Sequence, residues 1–248
     1  MDTFVLITLI VILLLFVYFL YYWVYSTKKV LTTTVVDLSK VNSALTDLKE
    51  PSNTRYAYAA WVFVNDLTTN VDNVVFYRKN NICVYFDNNS AKLNCSIAGT
   101  GAHATLTTTI TDTFPLQRWV HILVSVDGQY IDYYLNGKLI KSEKKSYIPT
   151  TPAGYGADLK TVDVPVYLGN SGSSAAGTGT AKDTTYVIDV NNGGYKAFLT
   201  KFTRWPNPLD PQSVWTEYTS GNGGAYFPYS VRLDLLKNNN IESSYQMW

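Results

Sequence analysis

Carboxylates, imidazoles and a glycine-rich stretch are the groups in this chain whose types and spacing could do chemistry. Cleaving a glycosidic bond generally takes two carboxylates about 5–10 Å apart across the bond. In a strand, residues i and i+2 share a face and could supply that pair. The glutamates are Glu50, Glu143, Glu217 and Glu242, and none has another carboxylate within two residues. Asp127 and Asp132 belong to one turn and its exit, Asp87 and Asp112 stand near turns, and Asp158, Asp163, Asp183 and Asp189 are scattered. The expectation is therefore a protein that is not an enzyme. His103 and His121 have no cysteine or second histidine at ligand spacing, which argues against zinc, and no cofactor is expected. Gly169 to Thr180 (GNSGSSAAGTGT) lacks the Gly-Lys-Ser/Thr ending of a phosphate-cradling loop. It reads as a long connection between strands, with Gly169, Asn170, Gly172, Gly177 and Gly179 as a partner-binding loop. Tyr155, Tyr226, Tyr229, Tyr245 and Trp248 could stack on sugars or bury against protein.

The elements that must position these groups are β-strands. Tyr, Thr and Val recur in short bursts between Gly, Asn, Asp and Pro. From Trp119 to Ser142, Val120, Ile122, Val124 and Val126 alternate, so one sheet face is apolar. Asp127-Gly128 and Asn136-Gly137 supply two tight turns, which predicts an antiparallel meander. Arg55–Val64, Val74–Arg78, Ile82–Phe86, Ala104–Thr111, Val164–Leu168, Tyr186–Val190, Tyr195–Arg204 and Ser230–Lys237 fit further strands. One helical turn is predicted at Asp210–Tyr218, with Pro211 early in it and Val214, Trp215 and Tyr218 on one face. Such spacing indicates a two-sheet sandwich or jelly roll.

The N-terminal stretch is of another kind. Phe4 to Tyr25 contains no charged residue, and as a helix it would extend ~33 Å against a hydrocarbon core of ~30 Å. The expectation is a retained transmembrane anchor over 1–27 with its span at 4–25. Phe4, Leu13, Leu14, Leu15 and Phe19 form its apolar body, and Tyr22 and Trp23 lie at its interfacial end. Lys28 and Lys29 follow it directly, so the positive-inside rule puts the C-terminal side in the cytosol. A connector at 28–54 is either a short amphipathic helix (Leu38, Val41, Leu45 and Leu48) or an edge strand, and 55–248 is the sandwich. Cys83 and Cys95 are read as free buried thiols that could pair if their strands are neighbours. Asn88 and Asn94 begin glycosylation sequons that would stay unused in the cytosol. A formal net charge of +1 argues against nucleic acid as a partner, and the basic run Lys141 to Lys145 reads as a solvated strand end.

WVHILVSVDGQYIDYYLNGKLIKS from Trp119 resembles the central meander of laminin-G-like, concanavalin A-like domains. Trp61 in YAYAAWVFV, Gly169 in VYLGNS and Trp205 before the helical turn resemble further blocks, in the right order. The resemblance covers about residues 55 to 224. Trp61, Trp119, His121, Asp127, Gly128, Tyr134, Asn136, Gly137, Gly169 and Trp205 carry it. It implies an all-β, antiparallel two-sheet jelly-roll sandwich behind one transmembrane helix, with His121 packed in the core. The hydrolases of such families carry an E-x-D-x-x-E type strand, which this chain lacks. Relatives can hold calcium at the sandwich rim, making Asp112, Asp158 and Asp163 candidates by loop position, although ordinary turn roles account for them too. The anchored arrangement also resembles membrane-anchored minor capsid proteins of large DNA viruses of algae. That implies a structural virion component, with a lipid bilayer and capsid proteins as partners, on an internal membrane facing the capsid. The alternative is a membrane-displayed lectin-like module that binds glycans.

Overall fold

Alternation along the strands sorts the side chains of this chain into two facing layers. The computed structural model describes residues 3–24, 29–40, 42–46, 48, 54–67, 73–78, 81–88, 90–98, 105–145, 165–169, 195–222, 232–237 and 240–246. Helix α1 (Thr3–Val24) is followed by β1 (Lys29–Thr32), β2 (Val36–Asp37), β3 (Arg55–Asp66), β4 (Asn73–Arg78), β5 (Ile82–Phe86) and β6 (Leu93–Ala98). Then come β7 (Thr105–Thr111), β8 (Trp119–Asp127), β9 (Tyr130–Leu135), β10 (Lys138–Lys144), β11 (Val166–Leu168) and β12 (Lys196–Trp205). Helix α2 (Pro211–Thr219) and the hairpin β13 (Arg232–Lys237) and β14 (Asn240–Gln246) follow. One sheet runs β1-β12-β3-β8-β9-β10, with β2 also on β12, and the other runs β11-β4-β5-β6-β7. Pairing within both is antiparallel.

The two sheets bury one core between them. Tyr58, Ala60 and Val62 of β3 and Val120, Ile122 and Val124 of β8 face Phe76, Val84, Cys95 and Ile97 of the second sheet. Phe202 sits at the centre, 4.9 Å from Phe76 and 5.9 Å from Tyr58 between ring centroids. The residues between these positions, Ala57, Ala59, Leu123 and Tyr134, form a separate cluster with Trp205 and Val214. The outer face of the first sheet is thus apolar as well, and α2 covers it.

The connector resolves toward strands. Lys29–Thr32 and Val36–Asp37 both pair with β12, and Leu38 and Leu48 are fully buried in the sandwich core. Leu45 bridges Val166, so this segment belongs to the sandwich. Strand β6 has no counterpart among the expected strands. Its alternation of Leu93, Cys95 and Ile97 is a strand signal, diluted by Asn94 and Ser96 between them. Tyr186–Val190 lies outside the described residues.

The expected anchor is overturned. Among the described residues, no helix is long and apolar enough to cross a membrane. The side chains of residues 8–18 of α1 are exposed. The single-pass topology drawn from Lys28 and Lys29 falls with it, as do the cytosolic side for the sandwich and the internal virion membrane.

Cys83 and Cys95 are free and buried. Their strands are neighbours, but Cys83 opposes Ser96 and Cys95 opposes Val84. The one-residue offset sends the thiols to opposite faces of the sheet, which forbids a bridge. Asn94 is buried in β6 and its Oδ1 accepts a hydrogen bond from Thr109 Oγ1 at 3.0 Å, so folding closes that sequon.

Lys141 to Lys145 is more than a solvated strand end, because it clips the two sheets together. Glu143 of β10 pairs with Lys141 (2.7 Å) and Lys145 (2.6 Å) and accepts from Thr108 Oγ1 of β7 at 2.7 Å. Burial raises the Glu143 carboxyl, but the bonds from Lys141, Lys145 and Thr108 outweigh it and hold its pKa at about 2, below the ordinary 4.5. A depressed carboxylate stabilises the fold fully above its ordinary pKa and loses that effect as pH falls from about 4.5 toward about 2. Discounted for solvent screening, the contribution is about 1–2 kcal/mol. Glu143→Gln is expected to lower the urea midpoint at pH 7 and to match wild type near pH 2. A difference that persists undiminished at pH 2 would contradict this assignment.

Candidate functional site

The C-terminal helix is where local chemistry builds a site. Asp210 caps α2, its Oδ1 accepting from the backbone N–H of Gln212 (2.9 Å) and Ser213 (3.1 Å). Bonds to Ser213, from side chain and backbone, hold its carboxyl below the usual range. Pro211 follows, where a missing N–H costs nothing. Ser125 Oγ takes the N–H of Leu209 at 2.9 Å, tying the approach to the helix onto β8. At the other end, Lys201 Nζ donates to Gly221 O (2.9 Å) and to Ser220 Oγ, and pairs with Glu217 at 3.4 Å. Lys201 reaches there from a bulge in β12 with φ 49°, and its charge suits a helix C-terminus.

Held at both ends, α2 lays Tyr218 over the outer face of the first sheet. Tyr218 stacks on Trp61 at 5.5 Å, and His121 lies 5.3 Å from Trp61. His121 is buried in this aromatic layer. Asn136 closes the β9–β10 turn with φ 49°; its N–H donates to His121 O (2.8 Å) and its Oδ1 accepts from His121 N (3.0 Å). Gly137 comes next, with φ +73°, close beneath Trp215 and Tyr218.

The outcome is a cleft of about 660 Å³ between α2, the β9–β10 turn and the segment entering β8. Trp119, Trp215 and Tyr218 supply aromatic walls, Asn136 an amide, and Arg118 and Lys138 positive charge. Trp215 is 47 % exposed, a large indole surface left without apolar cover. Arg118 and Lys138 are exposed, and among the described residues the lining contains neither Asp nor Glu.

The structure brings Trp119, Asn136 and Gly137 together at this cleft, with Trp61 and His121 as the layer beneath. Tyr134 lies under α2, its hydroxyl pushed up to about 12 by burial and by Asp132 and Asp210. Trp205 belongs to the same buried cluster. Asp127 is at the far end of β8, paired with Arg55 at 3.1 Å, and Gly128 turns there in open space. Gly169 is no open-loop residue, because it packs against the Leu38 backbone. Asn170, Gly172, Gly177, Gly179, Asp158, Asp163, His103, Tyr155 and Lys28 lie outside the described residues. So do Tyr226, Tyr229 and Trp248, and the side chains of Phe4, Phe19, Tyr22, Trp23 and Tyr245. Leu13, Leu14 and Leu15 are exposed, Lys29 opposes Arg204 in β1, and Asp112 is exposed beside the segment entering β8. Among the described residues no group of three or more His, Cys, Asp or Glu could hold a metal.

Sequence reasoning missed Arg118, Lys138 and the exposure of Trp215. The helical period put Trp215 on the packed face with Val214 and Tyr218. In the fold Val214 and Glu217 are buried, and Trp215 projects over the turn.

Solved structures share this architecture at low identity. A mutant of HCR/D superposes with TM-score 0.51 at 12% identity, over 79% of this chain and 44% of its own. The binding domain of Paraclostridial Mosquitocidal Protein 1 gives 0.49 at 11%, over 78% of this chain and 47% of its own. Trypanosoma rangeli sialidase gives 0.44 at 13%, over 70% and 24%. This chain thus spans less than half the length of these structures. No curated protein matches the chain. The expected minor capsid role is overturned, since a tether needs the span that the described residues do not provide. The family that matches is one of lectins and glucanases, and neither a bilayer nor a capsid partner finds support in it. A family model described as the concanavalin A-like lectin/glucanases superfamily, of laminin G type, matches residues 37–178, more than half of the chain, and the protein belongs to that superfamily.

Proposed function

We propose that this domain is a non-catalytic, lectin-like binding module that takes a saccharide in the cleft under Trp215. The observation that carries this reading is the half-exposed indole in a cleft that also offers Trp119, Tyr218 and Asn136. An apolar wall with a few placed polar groups is the usual composition of a small-molecule site, and an aromatic face with polar neighbours suits a sugar ring. Membership in a superfamily of lectins and glucanases agrees with binding. Against a glucanase reading stands the absence of Asp and Glu among the described residues of the lining, the residue types that glycosidic cleavage uses.

The test is a glycan array followed by titration of intrinsic tryptophan fluorescence with the saccharides retained. Trp215→Ala is expected to weaken binding at least about tenfold, near 1.4 kcal/mol, while thermal unfolding stays within a few degrees because the side chain is half exposed. Retained affinity in a folded Trp215→Ala protein would remove the cleft from consideration.

A further inference from the structure

Several cations elsewhere in the sandwich are already engaged within the fold. Lys141 and Lys145 hold Glu143, Lys201 holds Glu217, and Arg55 pairs with Asp127. Lys144 lies over the Tyr130 ring, 5.6 Å from its centroid. Arg118 and Lys138 differ: among the described residues neither enters an ion pair. Both line the cleft beside Trp215, and among the described residues no carboxylate lines it with them. They enter it from separate elements, Arg118 just ahead of β8 and Lys138 as the first residue of β10. Backbone pairing fixes their bases, with Trp119 against Phe63 and Lys138 against Leu135. Two exposed cations at the rim of the cleft concentrate positive potential over its aromatic wall.

From this we infer that the cleft selects acidic saccharides, those bearing a carboxylate or a sulfate, over neutral ones. This deepens the proposed binding function and rests on it. The sugar ring packs on Trp215, and its anionic group meets the Arg118 guanidinium and the Lys138 ammonium. The planar guanidinium fork matches either oxyanion by paired hydrogen bonds, whereas the ammonium acts as a point charge. Neutral sugars gain the ring contact only.

The test compares the full chain with Trp215→Ala and with the double variant Arg118→Gln, Lys138→Gln, whose exposed positions leave the core untouched. Each is titrated calorimetrically with sialyllactose, a sulfated lactose and lactose itself, at low salt and at high salt. Wild type is expected to bind at least one acidic ligand about tenfold more tightly than lactose at low salt, and the preference is expected to shrink at high salt. Which acidic ligand wins separates carboxylate from sulfate recognition. The double variant is expected to bind all three alike. Equal affinities in wild type, or a preference that survives in the double variant, would overturn the selectivity while leaving saccharide binding in place if Trp215→Ala abolishes it. No binding of any of the three, together with an empty array, would overturn both readings.

Discussion

Gly169→Ala is expected to destabilise the sandwich by about 3 kcal/mol, lowering Tm on the order of 10 °C. Two causes add. The residue sits at φ +64°, in the left-handed region where a Cβ costs roughly 1–2 kcal/mol. A Cβ there would also lie 2.7 Å from the Leu38 carbonyl oxygen and 3.2 Å from the Leu38 Cα. Both are backbone atoms, so the clash cannot be relieved by a rotamer change. Leu38 is anchored by its N–H to Ala197 O (2.9 Å) and by a fully buried side chain. Relief therefore means lifting the 36–38 segment off β12 and opening the core beneath. Gly128→Ala is the control, because Gly128 has φ +61° with nothing within 4 Å, and it should show the dihedral cost alone, ~1–2 kcal/mol. Equal losses in the two variants, measured by urea unfolding, would mean that the Leu38 contact carries no weight.

Gly137→Val is expected to abolish ligand binding at the cleft while costing about 2–3 kcal/mol of stability. At φ +73°, a Cβ would stand 2.9 Å from Trp215 Cε3 and Tyr218 Cδ1. These atoms belong to side chains, so α2 can yield, and the yielding displaces two of the three aromatic walls of the site, Trp215 and Tyr218. Val adds β-branched bulk at a left-handed position, which compounds the strain. The distinguishing readout is affinity set against stability. Gly128→Ala has a comparable dihedral cost and should leave binding intact, whereas Gly137→Val should lose at least about tenfold. A folded Gly137→Val protein with wild-type affinity would place the ligand elsewhere.

The two glycines also mark how far the sequence could be read. Gly137 was legible as a turn residue from Asn136-Gly137 between alternating strands, since the turn type is a local property. Its contact with Trp215 was not, because that partner comes from α2, far along the chain. Gly169 read as the start of an open glycine-rich loop, and only the pairing of β11 with β4 and the burial of Leu38 turned it into a packed position. The connector was ambiguous for a similar reason: its period allows a helix, and pairing of Val36–Asp37 with β12 and of Leu45 with Val166 ties its described residues to the sheets instead. The anchor expectation failed differently. It rested on the length, lack of charge and aromatic end of Phe4 to Tyr25, whereas among the described residues no helix is long and apolar enough to cross a membrane.

By itself, the sequence determined the meander from Trp119 to Ser142, most of the remaining strands, the capped helix after Asp210 and the superfamily to which they belong. Those properties depend on period-two alternation, turn residues and caps, all of which act over a few neighbouring residues. Only the tertiary structure decided that Arg118, Asn136, Lys138 and Trp215 share one cleft, and that Glu143 joins the two sheets. Such contacts arise between residues remote in the chain, through sheet register and the seating of α2, and no local pattern encodes them.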